Sequence, residues 1–156
     1  MFTYNSILVL HSIVKWLVLM LLTISIIKSL HGFYRSTTFN KTSNSLRHWT
    51  ATVAHIQLML GITLYAQSPI TKYFWNNFSE ASKNLDGLFF GIIHILLMLV
   101  AIAIITIGSA KAKRKNSNRD KFKTMAIWFM IGLILILVAI PWPFSPLAGR
   151  PHIRLF

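Results

Sequence analysis

Four apolar runs dominate this chain, at residues 6–30, 49–67, 87–109 and 124–141. A helix of about 20 apolar residues crosses the hydrocarbon core of a bilayer, so each run is of spanning length. Together they use most of the 156 residues, and only 12% of the chain is charged. Soluble domains carry about twice that share of charge. These runs predict an all-α integral membrane four-helix bundle, a single transmembrane domain over residues 1–156 with no soluble domain beside it.

The net charge of +13 is distributed as topology requires, not as nucleic-acid binding would. Lys28, Arg35, Lys41 and Arg47 flank the first connection. Lys111, Lys113, Arg114, Lys115, Arg119, Lys121 and Lys123 flank the third, against Asp120 alone. The second connection balances Lys72 and Lys83 with Glu80 and Asp86. Connections one and three share a side in a four-span chain, and an excess of Lys and Arg marks that side as cytoplasmic. Both termini are then expected on the outer side. The chain has no cysteine, which excludes disulfides, cysteine-ligated clusters, thiolate zinc and covalently attached haem. The first apolar run lacks a preceding basic residue and a small-residue cleavage site, so it reads as a retained helix rather than a signal peptide.

The connections carry their own signals. Gly32, after His31, is the expected stop of the first helix. In the outer connection Ile70, Phe74 and Phe78 recur at spacing four beside Tyr73 and Trp75, which predicts a short interfacial helix over about 70–80. It is either an aromatic anchor or a lid over a site near the outer face. Pro141-Trp142-Pro143 ends the fourth helix, and the tail at 145–156, with Arg150, His152 and Arg154, is expected along the outer surface.

Ionisable groups at membrane depth are functional candidates by default. His11, His55 and His94 lie on three different predicted helices, and imidazole is a standard ligand for metals and for haem iron. At about 1.5 Å per residue, His11 falls roughly 9 Å and His94 roughly 6 Å to the outer side of the midplane, with His55 roughly 3 Å to the inner side. His11 and His94 therefore match best, and His55 with His94 is the alternate pair. Gly87, His94, Ala101 and Gly108 recur every seven residues, a stripe of small side chains that turns His94 towards protein. It suits a flat macrocycle and plain helix packing equally. Lys15 lies one turn below His11 on the same face, and no acid lies in any of the four runs, so a bound anion such as a haem propionate is a natural partner. His55 and Gln57 point to nearly opposite sides of one helix. Cover on both sides suggests self-association or a place among other membrane subunits.

Five stretches stand out: Leu10-His11-Ser12-Ile13-Val14-Lys15-Trp16, Ala54-His55-Ile56-Gln57-Leu58-Met59-Leu60-Gly61, His94-Ile95-Leu96-Leu97-Met98, Ile105-Thr106-Ile107-Gly108 and Ile140-Pro141-Trp142-Pro143-Phe144. In them the chain resembles a family of small Bacteroidetes membrane proteins labelled cytochrome b-like. Family members often carry Arg where this chain has Lys15, and Lys keeps the charge without the planar fork. The resemblance implies four spans of a bacterial inner membrane with haem b between helix histidines.

Three readings follow. The first is a membrane cytochrome b-like electron-transfer protein or subunit. His11 and His94 are its axial ligands, Lys15 faces a propionate, and electrons pass between a quinol pool and a partner. Without acids in the helices to relay protons, it is not read as an enzyme on its own. The second is a haem-free accessory subunit of a larger inner-membrane complex, in which the histidines and Gln57 bond between helices. The third is a quinone or lipid site using His55 and Tyr65.

Overall fold

In the computed structural model, which describes residues 3–151, every regular element is helical. Helix α1 is Tyr4–Tyr34, α2 is Lys41–Gln67, and the second connection holds three short helices. These are α3 (Pro69–Asn76), α4 (Phe78–Ala81) and α5 (Leu85–Leu88). A π-helical turn at Phe89–Ile93 leads into α6 (His94–Arg114), and α7 is Asn118–Ala139. Residues His152 and Arg154 of the tail lie outside the described residues.

Three of these segments are long and apolar enough to cross a membrane: Tyr4–Tyr34, Leu85–Arg114 and Asn118–Ala139. Helix α2 matches them in length, with 27 residues, but opens on the polar stretch Lys41-Thr42-Ser43-Asn44-Ser45. The long helices pack in the order α1–α2–α6–α7 and back to α1. That closed ring sets α1 diagonally opposite α6, and α2 opposite α7.

The ends are built from side-chain caps. The Asn40 side chain accepts from the Ser43 amide at 3.0 Å, which starts α2 eight residues before the apolar run at 49. Ser117 caps α7 by accepting from the Asp120 amide at 3.0 Å and donating back to the Asp120 carboxylate at 2.8 Å. Ser68 caps α3, with Pro69 in its first turn. The first helix does not stop at Gly32. It runs on to Tyr34, and Ser36, at φ 49°, makes the left-handed turn. Gly32 is instead a packing position, since a Cβ there would fall 2.5 Å from the Phe122 ring of α7. Gly108 plays the same part against Trp128, which brings α6 and α7 together.

The buried core runs through the middle of the ring and towards its basic end. Val18, Leu22, Ala54, Ala101, Ile105, Met125 and Phe129 meet there. Towards the basic end the polar groups pair between helices. Ser25 of α1 bonds Thr50 of α2 at 2.7 Å, and the Arg47 guanidinium, 6% exposed, bonds Ser109 of α6 and Asn44. The other end of the ring is looser.

Candidate functional site

At that looser end a cavity of about 190 Å³ opens between α1, α2, α6 and α7. Its lining on α1 runs from Tyr4 to Val18, a reach of roughly 21 Å along the helix. His11, Lys15 and His94 all border it, so three of the four candidate residues share one space. Gln57, Gly61, Tyr65 and Met98 border it as well. Val18, Ile102 and Ile136 line its inner end, where the apolar core begins.

The two imidazoles reach this space from diagonally opposite helices. His94 of α6 has Nδ1 2.7 Å from the Ala139 carbonyl at the end of α7. A carbonyl only accepts, so Nδ1 carries the proton and the lone pair of the neutral ring sits on Nε2. This is the arrangement that orients a ligating histidine: a backbone acceptor on one nitrogen, a basic site on the other. His11 of α1 packs beside Gly61, where a Cβ would lie 3.2 Å from its Cε1. Its Nδ1 is buried with no hydrogen-bond partner among the described residues. Gln57 donates through Nε2 to the His11 carbonyl at 2.9 Å, and its own Oε1 is likewise buried and unpartnered. Leaving such a group unmade costs about 1–3 kcal/mol. Two of them on one cavity mark a place that its own side chains leave incompletely satisfied.

His55 lies elsewhere. It is exposed on the outside of α2, with Nε2 2.9 Å from Thr106 Oγ1 of α6. The Thr106 hydroxyl donates to the Ile102 carbonyl at 2.7 Å, so His55 is the donor in the pair. It ties α2 to α6 and takes no part in the cavity. Lys15 extends along the α1–α7 seam, its ammonium 5.2 Å from the Trp16 ring and 6.0 Å from that of Trp142. Arg150 of the tail borders the mouth, bonded to Asp86 at 2.7 Å and lying over Phe90 at 4.8 Å.

One feature of the site escapes a reading by helical period, and another is open to it. The first is the π-turn directly before His94, a rare geometry that recurs at functional sites. The second is Tyr65, which the quinone or lipid reading pairs with His55 but which lies with Gln57 and Gly61 on the cavity. The spacing 57, 61, 65 is the signal that finds it.

The donor set suits the haem b that the resemblance implies. Two imidazoles with lone pairs to give converge from opposite helices, and the cations Lys15 and Arg150 border the same space. The open volume is below the roughly 300–1,000 Å³ of sites that enclose a drug-sized ligand. A macrocycle would therefore need side chains that line this space to move apart. Compared with protein-family models, curated proteins and solved structures, the chain matches none.

Proposed function

We propose that this chain is a four-span protein of a bacterial inner membrane, with both termini outside, that binds haem b between His11 and His94 and passes electrons to a membrane partner. One observation carries the reading. Imidazoles from diagonally opposite helices border one cavity, and His94 has its Nδ1–H held by the Ala139 carbonyl. Haem b, when bound, supplies a one-electron couple. The residues supply the rest. The Ala139 carbonyl holds the His94 ring with Nε2 free to ligate. His11 offers the second imidazole, and Gln57 secures the backbone beneath it. Lys15 stands on the same side for an anionic edge. Val18, Ile102 and Ile136 exclude water from the inner end. The basic ends of α6 and α7 support the inward placement of that side, and α2 completes the four spans.

A second reading draws on the modest volume. In it the same imidazoles hydrogen-bond a single-ring headgroup, such as a quinone, and no macrocycle enters. Titrating the purified full chain with haemin separates the two. The haem reading predicts saturable one-to-one uptake, lost in His11→Ala and in His94→Ala and retained in His55→Ala. No uptake by folded wild-type protein, with a ubiquinone analogue bound instead, sinks it and leaves the second.

A further inference from the structure

In an unbroken α-helix Gly87, Gly91 and His94, spaced four and three, share one face. Here they part company. A Cβ at Gly87 would meet the Ala81 carbonyl at 2.7 Å, and one at Gly91 would meet the Phe74 ring at 2.5 Å, so both glycines face the outer connection. His94 instead reaches Ala139 and the cavity. The π-turn between them makes the difference. The His94 amide bonds the Phe89 carbonyl five residues back, and the wider turn redirects everything after it.

Such a turn is unfavourable on its own and needs support from outside the helix. It has a dedicated set of contacts. The Tyr65 hydroxyl donates to the Gly91 carbonyl at 2.6 Å and accepts from Trp75 Nε1 at 2.8 Å. Phe74, fully buried, fills the space that Gly91 leaves. The buried Thr71 bonds back to Tyr65 and Ser68 carbonyls, which locks α3 onto the end of α2. Trp75 and its stacked neighbour Phe78 are about half exposed on the outer surface. The chain of contacts thus runs from an exposed aromatic pair, through one hydroxyl, to the turn that aims His94.

We propose that Tyr65 is a positioning residue for His94: its hydroxyl holds the π-turn open and transmits the seating of the interfacial helix α3 to the imidazole. The geometric half of this stands without any ligand, whereas its effect on binding rests on the haem reading above.

The test uses the full chain in lipid nanodiscs with Tyr65→Phe, which keeps the ring and removes the donor. Trp75→Phe removes only the N–H that bonds Tyr65, and serves if Tyr65→Phe does not fold. Trp49→Phe, on the exposed far end of α2, is the control. Hydrogen–deuterium exchange over residues 89–95 is read together with haemin affinity and the haem spin state. One lost hydrogen bond sets the expected effect at about fivefold to tenfold faster exchange there and a similar weakening of haemin binding. Part of the bound haem should become high-spin. Trp75→Phe should move each readout the same way by less, and Trp49→Phe should move none. Unchanged exchange in residues 89–95, a rise spread evenly over the chain, or a local rise with unaltered affinity and spin state each overturns the proposal. Should wild type take up no haemin, the haem reading fails by itself. The exchange profile, with the binding of a ubiquinone analogue as second readout, then decides the positioning role by the same criteria.

Discussion

The cavity half of this helix ring and its basic half, which we propose are the outer and the inner one, use the same residue types to different ends. At the inner half, Arg47 meets Ser109 and Asn44, Ser25 meets Thr50, and Gly32 and Gly108 let aromatic side chains close the gaps. Among the described side-chain polar groups of that half, only the Ser29 hydroxyl is buried without a partner. At the outer half, His11 Nδ1 and Gln57 Oε1 are buried beside open space, and the helix leading into His94 departs from α-geometry. A polar group at membrane depth is therefore no pointer to function until its partners are known. His55 makes the contrast within a single residue type. It sits at a depth that suggested a ligand, and it spends its donor on Thr106.

Four substitutions set the halves against each other. The largest effect is expected from His94→Ala, which should lower haemin affinity at least about a hundredfold, the scale for loss of an axial ligand and its oriented support. Its stability should also fall, by about 1–3 kcal/mol, because the buried Ala139 carbonyl loses its partner. Gly32→Val forces a side chain into Phe122 and should destabilise by about 1–3 kcal/mol. The check is a lower unfolding midpoint in detergent with haemin affinity per folded molecule unchanged. Arg47→Met leaves Ser109 and Asn44 groups unpaired and should cost about 1–3 kcal/mol, again with no change in binding. His55→Ala removes one interhelical hydrogen bond and should cost only roughly 0.6 kcal/mol. Haemin affinity that falls in the Gly32 or Arg47 variants but holds in His94→Ala would reverse the assignment of the two halves.

How much of this was legible in sequence depends on which physical rule governed each residue. The apolar runs announce the helices because burial in lipid is a matter of composition, and the outer aromatic spacing announces α3. Helix ends were less legible. The α2 start is decided by the Asn40 cap, upstream of any apolar signal, and Gly32 looks like a stop signal until Phe122 is known to lie against it. His11, Lys15 and His94 could be brought to one level by counting residues, and the structure places them on one cavity. The partners that give them meaning could not be counted out. Ala139, 45 positions from His94, becomes its acceptor only through the packing of α6 on α7. The π-turn at Phe89–Ile93 breaks the very period on which the counting rests, so Gly87 fell on the wrong stripe.

The most direct test of the central claim is a reduced-minus-oxidised absorption spectrum of the full-length protein purified from membranes grown with ample haem. The account predicts sharp b-type bands at close to one haem per chain, absent in His94→Ala and in His11→Ala but present in His55→Ala. A folded, monodisperse wild-type protein without such bands, or bands that persist when both cavity histidines are replaced, would contradict it.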